Sequence, residues 1–370
     1  MPMFEWKKEF SNYSESIKSI GMRPFKEGPA LRKMLGDELH ILVFQDIFYS
    51  MLALSPKTYT PYIYDWGKYI GTETTKQSLR ATGIGLKVEL ESKLFYMNML
   101  DDKSVQDVLF KWMAYYRIGV PEITFVDKVS KTFRIEVDEL MNSWGMPNIH
   151  KRTCYFPTGF LAGAFETVLE HPVNIVESKC VSNGDEHCEF GGAVELPEHK
   201  FDIMSDRDFV KIRKSIYDRM FVEKRSRPKL SDWAHLVMLQ IFYTGVLLSS
   251  HGGHTMLYWI GRNSGKEIGS RIKAKDFDGK MKKFIDILNY LKIGKAKCIR
   301  CKPCTECKGS VRFVVKESAF SIGTKFGKKI DSYIAGMLSG FLETCTKKKQ
   351  NVIETKCISN GDEHCEFVVI

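Results

Sequence analysis

Two stretches of the chain are almost the same: Glu177 to Phe190 reads ESKCVSNGDEHCEF and Glu354 to Phe367 reads ETKCISNGDEHCEF, identical at twelve of fourteen positions. The likeness continues upstream. Gly159-Phe-Leu-Ala-Gly163 answers Gly336-Met-Leu-Ser-Gly340 at the same offset of 177, and Gly67-Lys-Tyr-Ile-Gly71 answers Gly265-Lys-Glu-Ile-Gly269. Tyr116-Arg-Ile-Gly119 answers Leu291-Lys-Ile-Gly294, and Leu35-Gly-Asp37 answers Leu230-Ser-Asp232. The same elements therefore follow in the same order twice. Each copy spans about 150 residues, the size of one independently folding domain rather than of a solenoid repeat. The expected organisation is a first domain over 1–196, a charged linker with a helix over 197–228, and a second domain over 229–370.

Patterning assigns the fold class. Leu39 to Leu54 and Ala234 to Leu248 carry apolar residues at helical spacing, as do Tyr62 to Thr74 and Lys103 to Tyr116. Glu122 to Val126 and Thr132 to Val137 alternate like the strands of a hairpin. Pro157 to Glu170 predicts a helix with Pro157 in its first turn and a close-packing face at Gly159, Ala162 and Gly163. Helices followed by hairpins predict an α+β fold: two tandem homologous domains, each an antiparallel sheet with helices on one face, closing in the repeated hairpin.

Composition narrows the functional classes. With 44% hydrophobic and 27% charged residues, both domains can bury a core without covalent staples. The N-terminus lacks an apolar signal core, and the longest apolar run, Leu236 to Leu248, is too short to span a bilayer, so a cytoplasmic protein with no membrane association is expected. The net charge of +10 is spread along the chain without a nucleic-acid-binding motif, which argues against nucleic acid as a partner. Ten cysteines in such a compartment point to metal or redox chemistry rather than disulfides.

The repeated segment suits a metal. Asn183-Gly184-Asp185 fits a three-residue hairpin loop with glycine left-handed, which sets Cys180 opposite Cys188. Opposed β-carbons lie about 4.5 to 5.5 Å apart, close enough for two thiolates to share one zinc at about 2.3 Å. Glu177 lies just upstream and Cys154 just before the next helix, giving three sulfurs and one carboxylate. Glu177 and Cys180 are three apart, so a flat strand would place them on opposite faces, and a bulge is required. A Cys180–Cys188 disulfide and a pair of buried thiols are the competing readings, and His187 and His364 are alternative ligands.

These residues carry a resemblance. Cys154, the Gly159/Gly163 helix, Glu177-x-x-Cys180 and Asn-Gly-Asp-x-x-Cys188-x-Phe190 resemble the 4-vinyl reductase domain family, which includes sensor domains of phenol-responsive bacterial transcription activators and whose fold is similar to that of vesicle-tethering transport-particle subunits. The resemblance implies a zinc held by Cys154, Glu177, Cys180 and Cys188, and a hydrophobic pocket for a small apolar or aromatic molecule. Phe44, Phe48, Tyr49, Tyr64 and Trp66, with Phe242, Tyr243, Tyr258 and Trp259, are candidate lining residues or plain core. In the second copy the corresponding ligands are Asp331, Glu354, Cys357 and Cys365, so aspartate replaces one cysteine and makes a harder, less sulfur-rich site.

A second cluster belongs to the C-terminal copy alone: Cys298, Cys301, Cys304 and Cys307, where the first copy has none. A four-cysteine zinc knuckle is the first reading, an iron-sulfur cluster the second and a thiol switch the third. The chain has no Walker loop, dinucleotide fingerprint, nucleophile elbow or H-E-x-x-H motif. The expected function is a metal-stabilised binding or sensor protein for a small hydrophobic molecule, without catalysis of its own, which signals to a protein partner. The alternative is a redox enzyme or accessory, as in tetrapyrrole vinyl reduction, using an iron-sulfur cluster. Pairing of the halves as an internal pseudo-dimer, or of whole chains as a homodimer, is a third expectation.

Overall fold

A computed structural model describes residues 30–82, 100, 103–194, 200–222, 226–248, 252–300 and 311–370. The described chain forms two compact units whose limits interleave in sequence. One lies within Met1–Met51, Tyr217–Glu223 and His235–Ile370, and the other within Leu52–Ile216 and Lys224–Ala234.

The second of these, which carries the first hairpin motif, is built on two helices and a sheet. Helix α2 (Pro56–Thr82) packs along α4 (Tyr155–Leu169), with α3 (Lys103–Tyr115) alongside. The glycines seen in the sequence decide how close the two main helices come. A Cβ on Gly67 or Gly71 would strike the carbonyl oxygens of Phe156 and Phe160, and one on Gly159 or Gly163 would strike those of Tyr64 and Lys68. Backbone therefore rests on backbone, which side chains of any size would prevent. Strands β2 (Val120–Asp127), β3 (Thr132–Asp138), β4 (Val173–Lys179) and β5 (Cys188–Val194) form an antiparallel sheet in the order β2-β3-β5-β4. Phe133, Ile135 and Val137 alternate inward along β3, and Phe133 stacks on Phe165 of α4 with ring centroids 4.6 Å apart. This is the period of two expected of a sheet with one buried face. Helix α5 (Asp206–Arg219) follows the sheet, where a charged helix was expected.

The other unit repeats the plan. Helices α7 (Gly253–Arg271) and α9 (Ser332–Thr346) meet through Gly261, Gly265, Gly336 and Gly340, whose added Cβ atoms would strike the carbonyls of Tyr333, Met337, Tyr258 and Arg262. Strands β7 (Lys295–Arg300), β8 (Val311–Lys316), β9 (Val352–Lys356) and β10 (Cys365–Val369) run antiparallel in the order β7-β8-β10-β9. Phe284 of α8 (Phe277–Tyr290) stacks on Phe341 at 4.1 Å. The α+β class with antiparallel sheets is as expected from the patterning.

Two apolar helices join this unit: α1 (Ile41–Leu54), through Met51, and α6 (Leu236–Leu248). Phe44 and Phe48 pack on Phe242 with ring centroids 5.2 and 5.7 Å apart. Asp46 is buried among them and accepts hydrogen bonds from Tyr217 Oη at 2.6 Å, Ser264 Oγ at 2.6 Å and Tyr333 Oη at 2.5 Å. A buried carboxylate is tolerated where hydroxyl donors replace its water. Nothing in the local sequence marks this hub, because its donors come from three distant elements.

Candidate metal centre

The first ligand set forms where three local structures end. Cys154 is the residue before α4, with its side chain making no cap to the helix. Glu177 lies near the end of β4, and the β4–β5 register slips between Glu177 and Lys179, so that Ser178 is the extra residue. That is the bulge the three-residue spacing of Glu177 and Cys180 requires. The loop is longer than the three-residue turn expected. Strands stop at Lys179 and resume at Cys188, and the connection contains a 3-10 turn over Val181–Asn183 and left-handed Gly184 at φ 102°. Asp185 explains why: its carboxylate accepts from Cys180 N at 2.8 Å, closing an inner turn within the outer one.

These elements bring the four predicted residues together. Ligand atoms of Cys154, Glu177, Cys180 and Cys188 all lie within 4.8 Å of one another, and all four residues are buried. The Sγ–Sγ distances are 3.7 Å for Cys154–Cys180, 3.7 Å for Cys154–Cys188 and 4.0 Å for Cys180–Cys188. A disulfide would need about 2.05 Å, whereas the edge of a tetrahedron with metal–sulfur bonds of about 2.3 Å is about 3.8 Å. Glu177 Oε2 accepts from Cys154 N at 3.0 Å, while Oε1 is buried with no hydrogen-bond partner. An orphaned carboxylate oxygen beside three thiols fits a cation.

Electrostatics agree. Burial pushes Glu177 and Cys154 well above their usual ranges. Burial also opposes charge on Cys188, but thiol hydrogen bonds from Cys154 and Cys180, with one from Ser143, bring it down to about 5. Without a cation the set thus holds a single thiolate, since further charge has no counterion in a dry site. A dication would stabilise the ionised form of every member.

The second set reproduces the scaffold with one changed donor. Asp331 takes the place of Cys154 before α9, and the backbone there is nearly the same, φ −82° and ψ 41° against −85° and 47°. Asp331 N donates to Glu354 Oε2 at 3.0 Å, and Cys357 N to Asp362 Oδ2 at 2.8 Å, copying the first set. Gly361 is again left-handed at φ 98°. Asp331, Glu354, Cys357 and Cys365 approach within 4.8 Å, and Asp331 Oδ1 and Glu354 Oε1 are both buried without partners. Burial drives Asp331 up to about 7 and Glu354 up to about 11. Ser321 Oγ lies 3.2 Å from Cys365 Sγ, as Ser143 Oγ lies 3.1 Å from Cys188 Sγ. Neither serine stands in the repeated segment, so the pair was not visible from it.

His187 goes elsewhere. Its Nε2 lies 3.7 Å from Glu136 Oε2, in a separate group with Glu189. Glu189 is already met by Lys179 at 3.0 Å and Ser178 Oγ at 2.7 Å, as Glu366 is by Thr355 Oγ1 at 3.0 Å and Arg312 at 3.4 Å. The repeated Cys-Glu-Phe therefore divides its labour between a thiol in the cluster, an ion-paired carboxylate and a core ring. Of the candidate lining residues, Phe44, Phe48, Tyr49, Tyr64, Trp66, Phe242 and Tyr243 are buried. Trp259 is 48% exposed beneath the Arg262 guanidinium, 4.9 Å from its ring centroid, which removes it from any interior surface. Cys298 lies half-buried on β7 opposite Phe313. Cys301, Cys304 and Cys307 lie outside the described residues.

Residues 133–192 and 311–370, which run from the central strand of each sheet through its ligand hairpin, match the 4-vinyl reductase domain. Among curated proteins, the uncharacterized protein MJ0150 of Methanocaldococcus jannaschii is 31% identical over 175 residues, covering 45% of this chain and 94% of the relative. The chain belongs to the 4-vinyl reductase domain family. The uncharacterized protein MJ1460 of the same organism is 32% identical over 123 residues, 32% of this chain and 67% of that relative. Among solved structures, a vinyl-4-reductase family protein of Methanocaldococcus jannaschii matches at 21% identity and a TM-score of 0.32, over 43% of this chain and 94% of that one. The phenol-responsive sensory domain of the transcription activator PoxR, solved with phenol, matches at 12% identity and a TM-score of 0.32, over 50% and 90%. No helix among the described residues of this 4-vinyl reductase domain protein is long and apolar enough to cross a membrane.

Proposed function

We propose that this 4-vinyl reductase domain protein binds a small hydrophobic or aromatic molecule and performs no catalysis of its own, with a zinc ion in each hairpin set holding the sheet end against the helix that follows Cys154 or Asp331. The single observation that carries the metal reading is the Cys154, Cys180 and Cys188 triangle, spaced at 3.7 to 4.0 Å around a buried carboxylate with a free oxygen. Sulfur-rich tetrahedral donor sets select zinc. With four protein donors no coordination position stays open for water, so the ion supplies cohesion rather than hydrolysis. Membership of the family supports the small-molecule reading, and a core rich in buried aromatic rings supplies suitable chemistry.

The test is a thermal-shift screen of the zinc-loaded protein against phenols and other small aromatics, with elemental analysis of the same sample. Saturable stabilisation by at least one compound, with zinc present at two or more ions per chain, is the expected result. A chain without zinc, or indifference to every aromatic tested, would sink the corresponding half of the proposal. The same sample tests the redox alternative at Cys298 to Cys307: iron together with a broad visible absorbance would move that reading ahead.

A further inference from the structure

The segments that lead into α1 and α6 share a pattern at an offset of 195: Arg32-x-x-Leu35-Gly36-Asp37 and Arg227-x-x-Leu230-Ser231-Asp232. Each is folded on itself by its aspartate. Asp37 accepts from Leu31 N at 3.0 Å and Arg32 N at 3.1 Å, and Asp232 accepts from Ser226 N at 2.7 Å and Arg227 N at 3.0 Å. Position 36 and its counterpart 231 are both left-handed, at φ 68° and 65°. Both arginines are fully buried.

Each leader is held by the body of the other repeat, within one compact unit. Arg32 Nη1 donates to Lys292 O at 2.6 Å, and Met34 N and Leu35 N donate to the Glu317 carboxylate at 3.0 and 3.1 Å. In the other unit, Arg227 Nη2 donates to Arg117 O at 2.8 Å, and Lys229 N and Leu230 N donate to Glu139 at 2.7 Å each. The four receiving residues, Arg117, Glu139, Lys292 and Glu317, are all left-handed, at φ 55°, 51°, 54° and 52°. Non-glycine residues rarely take that conformation, at a cost of about 1 kcal/mol or more each, unless the surroundings hold them there. Two such residues at the same place in each repeat make a built receptor. One turns a carbonyl toward a guanidinium and the other presents a carboxylate to two successive N–H groups.

We propose that each corner is a peptide-recognition site whose ligand is a leader of the form Arg-x-x-Leu-(Gly/Ser)-Asp, so that the two leaders are interchangeable between the two corners. Leader and corner are far apart in sequence, 260 residues for Arg32 and Lys292, so chain continuity does not enforce the contact. The leader is also turned in advance by its own aspartate, which lowers the entropy lost on docking. Recognition rests on charge-assisted bonds to backbone and one buried guanidinium, which a different sequence would leave unpaired.

Two experiments test this. In the full chain, Glu317→Ala should speed amide hydrogen exchange at Met34 and Leu35 by about tenfold or more while leaving Lys229 and Leu230 unchanged, and Glu139→Ala should do the converse. The opposite pairing, or no change at either leader, overturns the exchange of leaders. In a chain shortened to begin at residue 38, a labelled peptide of residues 30–40 should bind saturably below about 1 mM, a peptide of residues 225–235 should compete with it, and an Arg32→Ala peptide should bind at least about tenfold more weakly. Equal binding of the Arg32→Ala peptide, or failure of the second peptide to compete, would show that the corner does not read the pattern. If the shortened chain does not fold, the exchange measurement on the full chain decides alone.

Discussion

The two hairpin sets differ in one donor atom type on one scaffold. Cys154 and Asp331 occupy the same backbone conformation, donate their N–H groups to the same glutamate and face the same pair of cysteines. Because geometry is held constant, the difference teaches what donor softness alone does. Three thiolates and a carboxylate suit a soft or borderline ion, whereas two of each lean toward harder ions and hold zinc less firmly. The family resemblance assigned both sets from the repeat alone; the structure adds that no further sulfur joins the second set among the described residues. Asp331 Oδ2 is engaged by Ser321 Oγ at 3.1 Å, leaving only Oδ1 free.

The largest expected effect breaks the first site. Cys180→Ser should cost its unit about 3 to 5 kcal/mol, since a structural zinc contributes its binding energy to folding. Cys357→Ser should cost the other unit less, and calorimetry of the zinc-loaded protein would resolve the two transitions. Equal losses would mean that the two sets hold their ions alike. Next in size, Gly163→Ala and Gly340→Ala each place a methyl against a helix carbonyl, at Lys68 and Arg262 respectively. Each should cost about 2 to 3 kcal/mol, and here the units should respond equally, because the helix contact is the same in both. A large disparity would show that the units differ in packing and not only in donor set.

Smaller still is the gain from repairing the second site. Asp331→Cys should tighten zinc there by about tenfold or more, read by competition with a chromophoric chelator, and Cys154→Asp should weaken the first site correspondingly. If chelator strips both wild-type sites at one rate and neither exchange alters this, donor softness is not what separates them. The smallest effect is His187→Ala, expected to change stability by less than about 0.5 kcal/mol and zinc content not at all. Loss of an ion in that variant would return His187 to the ligand set.

Much of this was legible because the repeat compares the chain with itself. Cysteine pair, glutamate, turn glycine and helix glycines recur at one offset, and each sits where backbone geometry or a buried donor leaves little choice. The requirement for a bulge followed from the spacing of Glu177 and Cys180, and the register slip at Ser178 supplies it. What escaped was long-range. Asp46 collects hydroxyls from Tyr217, Ser264 and Tyr333, none of them near it in sequence. Ser143 and Ser321 reach the thiols from loops with no shared motif. The leaders were visible as a repeated Leu-x-Asp, but their exchange between repeats was not, because a local pattern shows what docks and not where.

The most direct test of the central claim is anomalous diffraction at the zinc edge from crystals of the protein grown with zinc. The account predicts a strong peak at the centre of Cys154, Glu177, Cys180 and Cys188, at about 2.3 Å from each sulfur, and a weaker or partly occupied one among Asp331, Glu354, Cys357 and Cys365. No peak in the first set, with its three thiols free or two of them bonded as a disulfide, would contradict it.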